Sequence, residues 1–205
     1  NCIKATCGVS LKEISDYCIA HSLTGFEFAC GIPGSLGGAV FMNAGAYGGE
    51  MKDVVKEVIY LDSDFHIRTL KAKDMQFGYR QSYFSIHHGI VLEVVLELQN
   101  GNQKYIQERV NYLMALRQDK QPLDKYSAGS TFKRPKGSYA SLLIKDLGLQ
   151  GLRVGDAEVS KKHAGFLINR GLASSDDFLS LVHEVQKRVK QNTGYDLECE
   201  IKILR

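Results

Sequence analysis

The chain has 205 residues, of which 44% are hydrophobic and 24% are charged, the composition of an average soluble domain. This length suffices for one large or two small domains whose cores need no disulfide bonds. The formal net charge of +3 and the lack of a nucleic-acid-binding signature argue against a DNA or RNA partner, and no run of about 18 apolar residues occurs, so no membrane span is predicted.

The first half of the chain is predicted to combine strands with a capped helix. Ser10 and Glu13 have the spacing of a capping box, which begins a helix that runs to about His21 and stops before Gly25. Apolar residues that alternate with polar ones indicate half-buried strands. Strands are predicted over Ile3–Cys7, Val54–Leu61 and Val91–Leu98.

A second helix is predicted from about Gln103 to Arg117, after a turn signal at residues 100–102, because its apolar residues share one face. The polar stretch Lys120–Lys125, which contains Pro122, follows this helix. We place a domain boundary there, so that residues 1–119 form a first domain and residues 120–205 a second.

The second half is predicted to contain the longest helix of the chain. This helix begins after a cap at Ser174-Ser175, where Asp176 and Asp177 favour the positive end of the helix dipole. The other predicted elements are a helix at Ala140–Leu147 and strands at Ala157–Val159, Gly165–Ile168 and Leu197–Leu204. Helices mixed with mostly antiparallel strands indicate the α+β class.

Residues 31–49 are rich in glycine, which lets backbone N–H groups approach a phosphate closely. The segment is neither a Gly-x-Gly-x-x-Gly motif nor a P-loop, because no Gly-Lys-Ser/Thr follows, so a dinucleotide fold or a kinase-type site is not indicated. Composition alone leaves a phosphate cradle and a loop that packs two layers together as equal alternatives.

The string Gly31-Ile32-Pro33-Gly34-Ser35-Leu36-Gly37-Gly38-Ala39, with Asn43-Ala44-Gly45-Ala46-Tyr47-Gly48 behind it, resembles the flavin-contacting segment of UDP-N-acetylenolpyruvoylglucosamine reductases. The match extends from Leu23 to Val54. It implies part of an FAD-binding domain of the vanillyl-alcohol-oxidase type, followed by a C-terminal α+β substrate-binding domain. The FAD contacts that it implies fall on Gly31, Ile32, Pro33, Gly34, Ser35, Gly37, Gly38, Ala44, Gly45, Ala46 and Tyr47.

The segment Gly78-Tyr79-Arg80-Gln81-Ser82 resembles another motif of the same family. By this resemblance Arg80 is the catalytic arginine and Tyr79 contacts the substrate. The residue type suits the role, because a guanidinium offers a fixed fork of donors to a carboxylate. Without the resemblance, Tyr79 and Arg80 would be interpreted as a surface pair.

Ser127-Ala128-Gly129-Ser130-Thr131-Phe132-Lys133 resembles the motif whose last serine gives a proton to the substrate, which implies that role for Ser130. A free serine is a weak acid, so the role requires a site that makes its proton mobile. Taken alone, Ser130 is a turn or cap residue. Two positions depart from the usual pattern: Tyr126 replaces a proline, and Arg134 stands where some members have asparagine.

Leu197-Glu198-Cys199-Glu200-Ile201 resembles the closing motif of the family, in which Glu200 is the catalytic glutamate. Strand alternation places Glu198 and Glu200 on one face, and only the position in the motif favours Glu200. The interval between Arg80 and Ser130 is short for this family, so the chain resembles its type II form, which lacks an inserted loop. Lys120 and Arg134 are therefore candidates for contacts with the substrate phosphates.

The cysteines and histidines argue against a metal site. The five cysteines form no Cys-x-x-Cys pair, and the histidines have no His-x-x-x-His spacing. An odd number of cysteines without a secretion signal indicates reduced thiols and a cytoplasmic location. We expect a monomer without a nucleic-acid or membrane partner.

The resemblance implies reduction of UDP-N-acetylglucosamine enolpyruvate to UDP-N-acetylmuramate, with hydride passing from NADPH through FAD. It also implies that family members carry a further N-terminal part with a Gly-Gly-Gly-Ser-Asn loop, so this chain is expected to be an N-terminally truncated form. Two alternatives stay open: a non-catalytic UDP-sugar-binding fragment, and a different flavin oxidoreductase of the same fold.

Overall fold

The computed structural model describes residues 1–203 and confirms the α+β class. The chain divides into two compact units, Asn1–Leu116 and Arg117–Arg205. Across the described residues, no helix has both the length and the apolar character that crossing a bilayer requires.

The elements of the first unit are β1 (Cys2–Thr6), α1 (Leu11–Ala20), β2 (Leu23–Thr24), α2 (Leu36–Phe41), β3 (Gly45–Ala46), β4 (Gly49–Glu50), β5 (Val55–Leu61), β6 (Ile67–Lys71), α3 (Tyr83–Ile86), β7 (Ile90–Glu97), β8 (Gln99–Asn100) and α4 (Gln103–Lys120), whose last four residues belong to the second unit. A four-stranded antiparallel sheet has the order β1-β7-β5-β6, and two further antiparallel pairs are β2-β8 and β3-β4. The predicted strands correspond to β1, β5 and β7, so these three predictions are confirmed.

The central strand β7 has one face in the core and one face outside it. Val94 and Leu96 have no solvent exposure. On the other face, Glu93 pairs with Lys4 of β1, and Glu97 pairs with Lys56 of β5. The alternation in the sequence therefore predicted the orientation of this strand as well as its existence.

The capping box at the start of α1 is present. Ser10 Oγ accepts a hydrogen bond from the Glu13 N–H at 3.1 Å, and the Glu13 carboxylate accepts one from the Ser10 N–H at 3.0 Å. Leu11, Ile14 and Cys18 of this helix are buried in the core of the first unit. A local cap and an apolar stripe together account for the helix.

The sequence did not predict β6 at the sheet edge. Its residues are exposed except for Leu70, which is partly buried. An edge strand without a core face leaves no period-two pattern, so hydrophobic alternation could not reveal it.

The elements that lie wholly in the second unit are β9 (Tyr126–Ser130), α5 (Ala140–Asp146), β10 (Arg153–Val154), β11 (Ala157–Val159), β12 (Phe166–Asn169) and α6 (Ser175–Thr193). Its strands form another antiparallel sheet, in the order β10-β11-β12-β9. The predictions for α5, β11, β12 and α6 are confirmed, whereas β9 and β10 were not predicted.

The long helix α6 supplies much of the second core. Ser174 forms a capping box with Asp177 at its start, and Gly194 ends it with a φ of 79°. A left-handed residue after the last turn suits glycine, which has no Cβ to clash. The buried stripe consists of Leu181, Val182, Val185 and Val189.

The predicted strand at Leu197–Leu204 is wrong for the described residues, and Leu204 itself lies outside them. This segment forms only one isolated bridge, between Cys199 and Phe132, flanked by backbone hydrogen bonds from Lys133 to Glu198 and from Glu200 to Thr131. The facing chain turns away at Pro135, where the Ser138 N–H bonds to the Pro135 carbonyl. Strand pairing stops there because the facing chain offers no further residues to pair with.

Candidate functional site

The glycine-rich segment begins as a loop and continues into the short helix α2. The loop is fixed by backbone hydrogen bonds to the start of α1, since the Leu11 N–H donates to Gly34 and the Leu36 N–H donates to Val9. Ser35 caps α2, and its Oγ accepts from the Gly38 N–H at 3.3 Å. Because Oγ acts as an acceptor there, the hydroxyl hydrogen of Ser35 can still donate to a phosphate oxygen.

Two glycines of the segment are required by close packing. A Cβ on Gly37 would lie 2.8 Å from the Cβ of Cys7 in β1. A Cβ on Gly45 would lie 2.8 Å from the carbonyl oxygen of Gly49. Neither distance allows an added methyl group, so the fold by itself explains these two glycines, and their FAD contacts stay predictions.

Two other glycines are required by backbone conformation and border open space. Gly34 has a φ of 144° and Gly48 a φ of 89°, and a Cβ on either residue would meet no atom within 4 Å. Gly48 and Tyr47, whose φ is 52°, form the two-residue loop between β3 and β4. Positive φ at both positions is the geometry of a type I′ hairpin turn. Such open glycine surfaces suit a flat or anionic ligand.

The tip of this hairpin lines a cavity of about 380 Å³ within the first unit. Tyr47 and Gly48 form one side of it, while Glu27 and Arg109 place a carboxylate and a guanidinium on the rest of the lining. The side chain of Tyr47 is 38% exposed. The hairpin therefore presents its tip to solvent and to a cleft, which leaves it accessible to a ligand.

The replacement of Gly37 or Gly38 by alanine separates packing from ligand contact. We expect Gly37→Ala to destabilise the flavin-free protein by about 1–3 kcal/mol, because the new methyl group overpacks against Cys7. Gly38→Ala is expected to stabilise it by about 0.4–1 kcal/mol, since its Cβ would make an ordinary 3.5 Å contact inside a helix. Urea unfolding of both variants measures the difference, and equal stabilities would contradict the packing explanation.

Arg80 lies in a tight turn of the first unit. Gly78 and Gln81 exchange two backbone hydrogen bonds, and Arg80 is the third residue of the turn with a φ of 54°. The guanidinium donates from Nη2 to the carbonyl oxygen of Gly45 at 3.4 Å and lies 5.1 Å from the ring centroid of Tyr79. The structure thus brings the predicted catalytic arginine against the hairpin that carries the predicted flavin contacts.

Ser130 lies in the second unit, at the end of β9 beside a bulge. Phe166 pairs with Ser130 and Ile168 pairs with Ser127, so Ala128 and Gly129 together face a single residue of β12. Gly129 has a φ of 82°, which glycine accepts without strain. Bulges of this kind redirect the next side chain, and Ser130 is exposed at the end of the strand.

The two candidate glutamates of the closing segment have different surroundings. Glu198 forms an ion pair with Lys133 and its side chain is 73% exposed. Glu200 is half-buried, and its N–H donates to the carbonyl of Thr131, the residue after Ser130, at 2.8 Å. The ion pair accounts for Glu198, and the position beside Ser130 supports the prediction for Glu200.

The predicted phosphate contacts also lie in the second unit. Arg134 is exposed and its Cζ lies 4.4 Å from the ring centroid of Tyr139. Stacking on an aromatic ring orients a guanidinium. Lys120 is exposed at the last residue of α4.

Sequence reasoning gave no role to two polar residues beside the Arg80 turn. Asn43 and Ser82 are both fully buried. A buried polar side chain must find hydrogen-bond partners, which makes such residues informative about what they hold in place. Asn43 is part of the motif that the sequence shows, but only the structure shows that this asparagine is buried.

Two titratable groups near Ser130 and Glu200 have altered proton affinities. Burial, and secondarily the negative charge of Glu198, raises the pKa of the Cys199 thiol. Burial lowers the pKa of His163, whose Nδ1 accepts a hydrogen bond from the Gly165 N–H. Both groups therefore favour their neutral forms at neutral pH.

One group of potential metal ligands occurs among the described residues, formed by Asp62, Asp64 and His66 in the turn between β5 and β6. The Asp62 carboxylate accepts from the backbone N–H groups of Asp64 and His66 and from Arg68 Nε. The hydrogen bond from His66 contributes most to lowering the pKa of Asp62. These contacts describe a stabilised turn, and we assign it no metal.

Comparisons with known proteins agree on one family. Residues 121–204 match the family description "UDP-N-acetylenolpyruvoylglucosamine reductase, C-terminal domain", and residues 1–71 match an "FAD binding domain". The chain is 46% identical over 204 residues to the UDP-N-acetylenolpyruvoylglucosamine reductase of Clostridium perfringens (strain 13 / Type A), covering 100% of this chain and 67% of that protein. It is 50% identical over 197 residues to that of Clostridium kluyveri (strain NBRC 12016), covering 96% and 65%.

A solved structure has the same fold over nearly the whole chain. The crystal structure of UDP-N-acetylenolpyruvylglucosamine reductase (MurB) from Thermus caldophilus is similar with a TM-score of 0.87 and 36% identity. The similarity covers 98% of this chain and 71% of that one. The chain thus spans about two thirds of the length of the curated relatives that it matches.

Proposed function

The chain belongs to the UDP-N-acetylenolpyruvoylglucosamine reductase family, and from this premise we propose that it serves the NADPH-dependent reduction of UDP-N-acetylglucosamine enolpyruvate to UDP-N-acetylmuramate, a peptidoglycan precursor. The observation that carries the proposal is the match of both an FAD-binding domain and the C-terminal domain of this reductase in one chain. A UDP-sugar-binding fragment would not need an FAD-binding domain, and another flavoenzyme would not need the C-terminal domain of this reductase.

The residues of the first unit fit FAD. Gly34 and Gly48 leave open surface beside left-handed backbone, and Ser35 keeps a hydroxyl hydrogen available. Phosphates and flat rings approach such a backbone closely. When bound, FAD takes up hydride from NADPH and supplies it to the enolpyruvyl double bond.

The proposed chemistry divides between the two units. We assign the FAD contacts to residues 1–119, which also contribute Tyr79 and Arg80 to the substrate, and the other substrate contacts to residues 120–205. As hydride arrives at the vinyl carbon, negative charge develops at the adjacent carbon and on its carboxylate. Arg80 would stabilise this negative charge with its guanidinium, Glu200 would polarise the carboxylate by sharing a proton with it, and Ser130 would protonate the adjacent carbon, so the protein supplies orientation and electrostatics.

We also propose that the protein works as a monomer in the cytoplasm, with neither nucleic acid nor a membrane as partner. Its five cysteines are free thiols, which accords with a reducing compartment. Size-exclusion chromatography with light scattering measures the mass directly. A stable dimer would contradict the proposed monomeric state but not the proposed reaction.

Flavin binding is the first experimental test of this function. The purified full-length protein, supplemented with FAD and desalted, is expected to retain bound flavin with its visible absorbance. It should then oxidise NADPH through repeated turnovers only when UDP-N-acetylglucosamine enolpyruvate is added. Protein that retains no flavin, or that turns over NADPH equally without this substrate, would overturn the proposal.

Arg134 provides a test of substrate binding. We expect Arg134→Ala to raise KM for the UDP-sugar by about ten- to over a hundredfold, because a charge-assisted hydrogen bond contributes about 1.5–3 kcal/mol. The effect on kcat should be smaller, since the diphosphate is remote from the reacting carbons. Arg134→Lys should recover only part of the affinity, because lysine cannot form the bidentate fork.

The control for Arg134 is Tyr139→Phe, which keeps the aromatic ring under the guanidinium and should leave KM unchanged. An unchanged KM in Arg134→Ala would refute the phosphate contact. A loss confined to kcat would instead place Arg134 at the chemical step.

A further inference from the structure

The side chain of Asn43 has three hydrogen bonds in the interior of the first unit. Its Nδ2 donates to the carbonyl oxygen of Gly78 at 2.9 Å and to Glu50 Oε2 at 2.7 Å, and its Oδ1 accepts from the Lys52 N–H at 2.9 Å. The residue is 0% exposed and has a φ of 42°. Asparagine tolerates this left-handed conformation better than most residues.

The bond to Gly78 fixes the first residue of the turn that carries Arg80. A second bond fixes the residue after the turn, because the buried Ser82 Oγ donates to the carbonyl oxygen of Phe41 at 2.8 Å. The guanidinium of Arg80 itself reaches the carbonyl of Gly45 at 3.4 Å. Three hydrogen bonds therefore connect the turn to residues 41–45, which run from the last residue of α2 to the first residue of the hairpin of the proposed flavin site.

Arg80 needs such support because its φ of 54° lies in a region that residues other than glycine rarely occupy. A residue in that region persists only when its surroundings over-determine it. The two buried bonds hold both ends of the turn, and hydrogen bonds sheltered from water resist exchange with solvent. The direction of the Arg80 side chain is thus set from outside the turn.

We propose that Asn43 is a positioning residue for Arg80, which it holds at the angle and depth needed to reach the substrate carboxylate, with Ser82 as the second anchor. The inference rests on the proposed function, because it assigns the purpose of the anchored turn to the reaction. Asn43 touches neither substrate nor reacting atoms in this scheme, and it acts on Arg80 through the backbone of Gly78.

The decisive variant is Asn43→Asp, which keeps the shape and the Oδ1 acceptor but replaces the amide donor by an oxygen facing Gly78 and Glu50. In the full-length, flavin-loaded protein we expect oxidation of the reduced flavin by the enolpyruvyl substrate to slow by about 10- to 100-fold, since a displacement of about 1 Å has effects of this size. Reduction of the flavin by NADPH, in which Arg80 takes no part, should stay within about twofold, because the variant keeps the Oδ1 acceptor for the Lys52 N–H beside the hairpin.

A double-mutant cycle separates positioning from general damage. In an Arg80→Ala background there is no guanidinium to position, so Asn43→Asp should change the substrate half-reaction by less than about threefold, as coupled residues are strongly non-additive. An equal slowing in both backgrounds would overturn the inference. Ser82→Ala, a milder change, should show the same pattern, and it decides the question if Asn43→Asp does not fold.

Asn102→Ala is the matched control for lost stability. Asn102 caps α4 in the same unit by accepting from the N–H groups of Lys104 and Tyr105, far in sequence from the turn. It should lower the unfolding midpoint and leave both half-reactions unchanged. A wild-type protein that does not turn over would refute the proposed function, whereas an active wild type with additive variants would refute only the role of Asn43.

Discussion

Replacement of Ser130 by alanine is expected to slow the oxidation of reduced flavin by UDP-N-acetylglucosamine enolpyruvate by about 10²–10⁴-fold, the usual contribution of a positioned proton donor. The bulge at Ala128-Gly129 leaves Ser130 exposed at the end of β9, next to the backbone contact between Thr131 and Glu200. Rapid mixing of the reduced variant with the substrate measures this rate. Reduction of the flavin by NADPH should remain close to that of the wild type.

The control for Ser130 is Ser174→Ala, the same change at the cap of α6 in the same unit. Its loss should appear in stability alone, at about 1 kcal/mol. If Ser130→Ala slowed both half-reactions equally, Ser130 would support the structure of the site and would not be the proton donor.

The second large effect is expected at Glu200. Glu200→Gln keeps the size of the side chain and removes the carboxyl group that shares a proton with the substrate, and we expect the substrate half-reaction to slow by about 10²–10³-fold, as for the loss of one preorganised electrostatic contact at a transition state. Glu198→Gln is the matched control two residues away. It breaks the exposed ion pair with Lys133, which contributes little, so its rate should stay near that of the wild type.

Two results of the comparison between the glutamate variants would contradict the role of Glu200. Equal losses in Glu198→Gln and Glu200→Gln would show that the segment as a whole matters rather than one carboxylate. A larger loss in Glu198→Gln would transfer the role to the residue that pairs with Lys133. Stopped-flow measurement of reduced flavin at saturating substrate distinguishes these outcomes.

The elements that the sequence predicted correctly are those with local signals. The caps at Ser10 and Ser174 and the apolar stripes behind them depend on residues within a few positions of one another. The alternation in β7 is likewise local and matches its buried face. Such patterns need no knowledge of the partner strand.

The elements that were missed or wrong depend on partners distant in the chain. β6 has no buried face, and the closing segment around Cys199 fails to become a strand because its partner turns away at Pro135. The requirement for glycine at Gly37 comes from Cys7, thirty positions earlier, through a contact that no local pattern reveals.

In the candidate site, too, local motifs were recognised from the sequence, whereas features that depend on distant partners were not. Motifs identified Arg80, Ser130 and Glu200 by resemblance, but the bulge beside Ser130 and the buried anchor Asn43 depend on tertiary pairing. The choice between Glu198 and Glu200 was a matter of motif position in the sequence. The structure adds one observation in favour of Glu200, because its N–H donates to Thr131, the residue after Ser130, whereas Glu198 forms an exposed ion pair with Lys133.

A single-turnover experiment tests most directly whether hydride passes through bound flavin to the enolpyruvyl double bond. The flavin-loaded full-length protein is reduced with NADPH under anaerobic conditions. The remaining NADPH and NADP are removed, and the protein is mixed with UDP-N-acetylglucosamine enolpyruvate. We predict that the visible flavin absorbance returns and that UDP-N-acetylmuramate forms mole for mole with oxidised flavin, as measured by mass spectrometry. Flavin that stays reduced in the presence of this substrate, or that is reoxidised without forming the product, would contradict the account.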